Sequence, residues 1–216
     1  MQINVRADFS RVRAFVDGSI RQVPFATARA LTNVARKVAS AEQRAIGQVF
    51  DNPLAFTRRG VGITSATKTR LRAEVFLKRK QAAYLAAQIK GGPRRRRPFE
   101  AQFGQQTGQN VQASVPGAGA PLDSAGNLRR STITRLGRQV AGKRGDVFEV
   151  KPGGQLTPGI YQRTAPNRIT PLLIFSQQPA RYSRRFDFFG VARQSVRQEW
   201  SREFARSFTS ATRTAR

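Results

Sequence analysis

The sequence contains no cysteine and no histidine. Disulfides, cysteine or histidine nucleophiles and all the common zinc sites are therefore excluded. Residues 1–5 lack the apolar core of a secretory signal, and no stretch reaches the roughly 18 apolar residues that a membrane span needs. We expect a protein that is made and assembled in a reducing cytosol and has no membrane partner.

Acidic residues are scarce as well. The chain has 12 Asp and Glu against 39 Lys and Arg, a formal net charge of +27, and only seven of the basic residues are lysine. Arginine forms bidentate hydrogen bonds to phosphate and carboxylate. A partner that neutralises the charge is the simplest explanation, nucleic acid first and acidic protein surfaces second, with a merely soluble basic surface as the alternative.

The hydrophobic pattern predicts an α+β fold, with a small mixed or antiparallel sheet packed against two long helices. An apolar fraction of 39% and fifteen Phe exclude a wholly disordered chain. Residues 2–5 suit an edge strand, and a short helix capped by Asp8 is expected to end at Asp17 and Gly18. Helical spacing is found over residues 23–50, 82–89, 127–140 and 187–208. Strand patterns cover residues 61–67, 71–77, 147–150 and 171–175, and residues 159–163 lead into a turn before the last of these strands.

The composition changes near Gly91. From residue 104 to 126 the chain is mostly Gly, Gln, Ala, Ser and Pro. We predict a single domain formed by residues 1–91 and 127–216, with residues 92–126 as an extended basic and Gly-rich arm.

The last fifth of the chain carries the strongest pattern. A buried strand over residues 171–175 and a basic turn precede a helix with apolar residues at every fourth position: Phe188, Ala192, Val196, Trp200, Phe204 and Phe208. We expect strand, turn and helix to form one supersecondary unit on which the core is built. The alanine-rich stripe of residues 23–50 is suited to close packing against this helix.

No catalytic constellation is recognised. Glu199 and Glu203 share a helix face, but arginines lie within the same turns and favour a surface ion-pair network. The Gly-rich stretches 117–119 and 153–154 lack the Lys-Ser/Thr of a phosphate-binding loop. We predict no catalytic residue, no cofactor site and no metal site.

Basic clusters are the candidate binding residues. Either DNA or a neighbouring protein is the expected contact of Arg94, Arg95, Arg96, Arg97, Arg129 and Arg130. Within the turn before the last helix, Tyr182 and Phe186 are expected to anchor the chain in the core. A subunit or neighbour contact is the expected role of Arg181, Arg184 and Arg185, with DNA contact as the lesser alternative.

Several stretches together resemble the prophage minor tail protein Z family, the tail-completion proteins of long-tailed phages. They occur in the expected order over about residues 20–205: residues 23–32 (VPFATARALT), 52–57 (NPLAFT), 84–92 (YLAAQIKGG), 171–175 (PLLIF), 181–182 and 185–189.

The resemblance implies a virion structural protein of the phage neck or tail with no catalytic residues. Such a protein completes the tail and joins it to the head connector. It forms a ring around the DNA path, expected to be a hexamer with a dodecamer as the alternative. The expected partners are portal-side proteins, a tail terminator or tube protein, and genomic DNA. A free basic DNA-binding or packaging factor is the alternative function.

Overall fold

The computed structural model describes residues 10–142 and 145–214, which form six helices and eight strands. The helices are α1 (Ser10–Val49), α2 (Ala55–Arg58), α3 (Arg79–Lys90), α4 (Pro98–Thr107), α5 (Arg130–Gly142) and α6 (Phe188–Thr214). The strands are β1 (Val61–Thr64), β2 (Glu74–Leu77), β3 (Gly92–Pro93), β4 (Ala113–Pro116), β5 (Val147–Val150), β6 (Gly159–Ala165), β7 (Arg168–Ser176) and β8 (Arg181–Tyr182). The α+β class predicted from sequence is confirmed, and every strand pairing is antiparallel.

The chain divides into two compact units, each with its own packing. The helical unit contains the described residues up to Ala83 and those from Phe186 onward, and the sheet unit is Tyr84–Arg185. The predicted single domain, 1–91 with 127–216, does not coincide with either unit. The strand at 171–175 and the last helix fall in different units, so they do not share the one core that the pattern suggested.

Helix α1 is longer than predicted, because it begins at Ser10 and continues through Gly18 and Pro24. A helical glycine costs about 1 kcal/mol and an interior proline about 3 kcal/mol relative to alanine, and a helix as long as α1 contains both without ending at either. The predicted break at Asp17 and Gly18 is therefore wrong. The predicted strand at residues 2–5 and the cap at Asp8 lie outside the described residues.

The helical unit is built on the antiparallel packing of α1 against α6. Successive contacts pair Arg29 with Ser210, Asn33 with Glu203, and Lys37 with Glu199. Most of the buried residues on α6 are small or polar, and only one is a large apolar residue: Phe188, Ser195, Glu203, Ser207 and Ala211. The predicted aromatic row lies beside this seam, with Trp200, Phe204 and Phe208 only half-buried and stacked on one another. Small side chains in the seam let the two helix backbones approach closely.

A hairpin of β1 and β2 packs on α1 within the same unit. Its ladder pairs Val61 with Leu77 and Thr64 with Glu74, which confirms the predicted hairpin with shorter strands. The backbone N–H of Ala66 donates to Thr32 Oγ1 of α1 over 3.1 Å.

The sheet unit is built on a four-stranded sheet in the order β4-β7-β6-β5. Strand β7 is internal and supplies the buried residues Leu172, Leu173 and Phe175, so the predicted buried strand is confirmed. Pro171 lacks an N–H, and it lies where the register between β6 and β7 shifts. Helices α4 and α5 contribute Phe103 and Leu136 to the same core.

The predicted arm is wrong for residues 98–116, which fold as α4 and β4. Phe103 and Val111 are fully or almost fully buried in the sheet unit's core. These two buried anchors order a Gly- and Gln-rich stretch, because the backbone groups that follow Val111, from Gln112 to Gly119, are satisfied on β7.

A candidate polyanion-binding face

Helix α5 of the sheet unit is strongly amphipathic. Its inner face places Thr132, Leu136 and Gly137 in the interior, and Ile133 and Val140 pack against the core. Spacings of three and four residues align these positions on one side of a helix. The apolar side is therefore fixed on the sheet unit, which leaves the other side of the helix in solvent.

The outward side of α5 carries only cations and neutral hydrogen-bonding groups. A shallow depression of about 560 Å³ is lined by Arg130, Ser131, Thr134, Arg135, Arg138 and Gln139. Arg130, Thr134 and Arg138 follow at intervals of four, so the cations span roughly 12 Å along the helix. Arg129 is also exposed, immediately before the first helical residue.

The electrostatics of this face are one-sided. No acidic residue occurs in α5, and the sheet unit as a whole has 17 basic and 4 acidic residues, a net charge of +13. Among the described residues, none forms a salt bridge with Arg129, Arg130, Arg135 or Arg138. Guanidinium groups stay protonated at any physiological pH. The face can therefore bind successive phosphates of a polyanion by charge-assisted hydrogen bonds.

Arg94 is used inside the protein. Its guanidinium donates to both carboxylate oxygens of Glu100, over 2.9 Å and 2.5 Å, and only 12% of its side chain is exposed. Glu100 is fully buried and also accepts hydrogen bonds from the Arg97 backbone N–H and from Ser114 N and Oγ. Burial alone would raise the pKa of Glu100, but these donors hold it below its ordinary value.

Arg94 is the first of four consecutive arginines, the arginine run, and the other three members remain in solvent. The side chains of Arg95, Arg96 and Arg97 are exposed, although Arg96 also donates to the backbone carbonyl of Glu100 over 3.1 Å. The Arg97 guanidinium lies 6.0 Å from the centre of the Phe99 ring. The run is thus divided between one structural arginine and three arginines that are available to a partner.

The basic turn lies beside the arginine run. Strand β8 pairs with β3, with Arg181 opposite Pro93, and the backbone N–H of Arg94 donates to the carbonyl of Ala180. The side chains of Arg181, Arg184 and Arg185 are exposed. Phe186 is fully buried in the helical unit, as predicted for an anchor, where its ring lies 6.0 Å from Phe50 and 5.9 Å from Phe188. Tyr182 is half-buried.

Glu199 and Glu203 form ion pairs with Arg202 and Arg206 of their own helix, as the sequence predicted, but Glu203 is buried, so the network is not confined to the surface. Lys37 of α1 lies 2.6 Å from Glu199 and 2.7 Å from Glu203, and Arg202 donates to Glu199. The hydrogen bonds from Lys37 are the main reason why the pKa of each carboxyl lies below its ordinary value. The spacing of residues on α6 could not identify Lys37 as a partner, because Lys37 belongs to α1.

Two arginines of the face, Arg135 and Arg138, were absent from the residues that we singled out from sequence. The helical spacing that placed them outside the core was a usable signal, since exposed arginines three residues apart share a face. In the described part of the chain, no group of three or more Asp and Glu side chains could hold a metal ion, and no helix combines the length and apolar character that crossing a bilayer requires. Comparison of the chain with protein-family models, curated proteins and solved structures found no match.

Proposed function

We propose that this protein is a structural protein of the phage neck or tail, which completes the tail and joins it to the head connector. It would assemble as a ring around the DNA path, a hexamer or alternatively a dodecamer, with portal-side and tail proteins as its neighbours. The virion is its proposed location, reached by assembly in the host cytoplasm.

The outward face of α5 is the observation that carries the proposal. Arg129, Arg130, Arg135 and Arg138 are exposed with no acidic residue on the helix, on an element fixed firmly to a core. A ring of such subunits would place a rigid cationic surface against DNA phosphates, and counterion release would favour the contact. The resemblance of the sequence to tail-completion proteins supplies the location in the particle.

A first experiment removes the protein from the phage. Particles assembled without it should contain filled or leaking heads and separate tails, and their infectivity should fall by orders of magnitude. Electron microscopy of wild-type particles should find the protein as a ring in the neck. Normal infectivity of particles that lack the protein would refute the proposal.

A second experiment tests the face itself. Replacing Arg130, Arg135 and Arg138 with glutamine removes three phosphate contacts, so the slope of log affinity against log salt for duplex DNA should become shallower by roughly 2.7. The matched control replaces Arg193, Arg197 and Arg213 of α6 with glutamine. Equal losses in the two triple variants would mean that net charge, and not the α5 face, governs DNA binding.

A free DNA-binding or packaging factor is the second candidate, favoured by the same face. Such a factor would bind DNA with a steep salt dependence, but it would be absent from purified virions. Its presence or absence in the neck therefore separates the two functions.

A further inference from the structure

The helical unit buries a carboxylate that has no internal partner. Glu42 of α1 is fully buried, and neither of its carboxylate oxygens accepts or donates a hydrogen bond among the described residues. Its neighbours one turn away on the same row of α1 are Val38 and Ile46, both almost completely buried. No group on this row of α1 can stabilise a carboxylate. Whether Glu42 is protonated therefore depends on the groups near it at the start of α6.

The first turn of α6 is the element that Glu42 faces. Asp187 precedes this turn and its Oδ1 accepts a hydrogen bond from the backbone N–H of Gly190 over 3.1 Å, as an N-terminal cap. The backbone of Ala192 is the compensating dipole near Glu42, but no hydrogen bond of acceptable geometry joins them. The charged group that acts on Glu42 is Asp187, immediately before α6, which is also an acid.

These surroundings oppose the charged form of Glu42. Removal from water is the larger effect and repulsion by Asp187 is the second, and together they raise the pKa of Glu42 to about 8. The neutral acid is therefore the main form in the folded protein at pH 7. An ionised Glu42 would need water, which it can reach only if the side chain leaves the space between the helices.

We propose that Glu42 is a proton-dependent latch between α1 and the first turn of α6. While the carboxyl carries its proton, residues 188–192 remain packed on α1. When the proton is lost, the side chain turns toward water and that end of the helix pair opens. The latch belongs to the helical unit alone, so it does not depend on the function of the α5 face.

The direction of the pH effect follows from the two pKa values. In an open state Glu42 has the ordinary glutamate value of 4.5, and in the closed state it has a value of about 8. Between these values the open state has released the proton and the closed state has kept it. The closed state is favoured most below the lower value, and this advantage is lost progressively as the pH rises to about 8.

Hydrogen exchange of the backbone amides of residues 188–192 tests the latch. After correction for intrinsic exchange, the opening constant of the wild-type turn should rise about tenfold per pH unit between about pH 5.5 and 7 and level off above about pH 8. In Glu42→Gln the opening constant should not change with pH, and at pH 8 the turn should be better protected than in the wild type. The matched control is Glu74→Gln, which removes one half-buried carboxylate from β2, where it pairs with Arg70 and Arg72, and should retain the wild-type pH dependence.

Two further measurements make the test independent of how the Glu42→Gln variant folds. The carboxyl carbon resonance of Glu42 should titrate near pH 8 in the wild type. Asp187→Asn preserves a capping side chain but removes the repulsion, so this midpoint should move to lower pH. A midpoint near 4.5, or exchange in residues 188–192 with the same pH dependence in wild type and Glu42→Gln, would overturn the proposal.

Discussion

Each of the two units buries a glutamate completely, and the pKa values of the two glutamates are shifted in opposite directions. Glu100 of the sheet unit accepts hydrogen bonds from Arg94, Arg97 and Ser114, and its pKa is lowered. Glu42 of the helical unit has no hydrogen bond among the described residues, and its pKa is raised to about 8. Burial is equal in both, so the donors around the carboxyl, and not its exposure, decide whether it is charged.

The same contrast extends to the packing of the units. The sheet unit combines an apolar core with one buried ionic cluster at the start of α4, in which both carboxylate oxygens of Glu100 accept hydrogen bonds. The helical unit has a seam of alanine, serine and glutamate, in which Lys37 forms ion pairs with Glu199 and Glu203, while the Glu42 carboxylate has no hydrogen-bond partner among the described residues. We therefore expect substitutions to be more costly in the sheet unit than in the seam.

The largest effect is expected from Arg94→Ala. This change leaves Glu100 buried without its cation, and removing one partner of a buried pair costs about 3–5 kcal/mol of unfolding free energy. Chemical denaturation measures the loss. The control is Arg95→Ala, which truncates an exposed neighbour and should change the free energy of unfolding by less than about 0.5 kcal/mol.

The pH dependence of the Arg94 variant provides a second reading. In the folded protein the pKa of Glu100 lies below its ordinary value. Glu100 therefore contributes to the free energy of unfolding at any pH above the ordinary pKa, and this contribution is lost as the pH falls through the folded pKa. Arg94→Ala should weaken this loss on acidification. If the free energy of unfolding of the variant fell on acidification as steeply as that of the wild type, Glu100 would not be the source of this pH dependence.

Gly159→Ala comes next. A Cβ at this position on β6 would collide with the backbone carbonyl of Leu173 on β7, and overpacking of this kind costs about 1–3 kcal/mol. Gly154 lies in the preceding loop with no atom near its Cβ position, so Gly154→Ala is the control and should be nearly neutral. Thermal unfolding of both variants would show whether the sheet is as intolerant as its geometry indicates.

In the seam, Lys37→Met should destabilise the protein less than Arg94→Ala does. The methionine keeps the aliphatic stem of the side chain, but Glu199 and Glu203 lose their shared cation. The Lys37 side chain is 36% exposed, so solvent already screens the ion pairs. Lys80→Met, at an exposed position of α3, controls for the lost charge. A loss as large as that of Arg94→Ala would contradict the expected difference between the units.

The smallest effect is a gain. Gly47 lies exposed in the last turns of α1 with no atom near its Cβ position, so Gly47→Ala should stabilise the protein by about 0.5–1 kcal/mol. The rise in the melting temperature is the measurement. Destabilisation would mean that the end of α1 needs the freedom of glycine.

Local patterns predicted most of the elements but not which of their faces meet. The spacing of Leu128, Ile133, Leu136 and Val140 located α5, and the same spacing left its arginines in solvent. On α6 the pattern favoured the aromatic row, yet the adjacent row with Ser195 and Ser207 faces α1. Periodicity does not distinguish two neighbouring rows of one helix. Which row faces the partner depends on how closely the backbones approach, and close approach favours small residues over large apolar ones.

The arginine run shows the corresponding limit for the candidate site. Four consecutive arginines looked equivalent in sequence, but the turn into α4 brings Glu100 to Arg94 and leaves Arg95, Arg96 and Arg97 exposed. The prediction of an arm failed for the same reason. Phe103, Val111 and a short β4 suffice to fix a polar segment, and their effect depends on a sheet formed by residues far along the chain.

The sequence by itself determined the excess of positive charge, the absence of cysteine and histidine, the α+β class and the exposure of Arg129 and Arg130. These properties depend on composition and on short-range periodicity. Only the tertiary structure decided that Arg94 is an internal cation, that Lys37 serves two glutamates of α6, and that Glu42 holds its proton. The state of a buried charge depends on desolvation and on the few polar atoms within hydrogen-bonding distance, and those atoms come from distant parts of the chain.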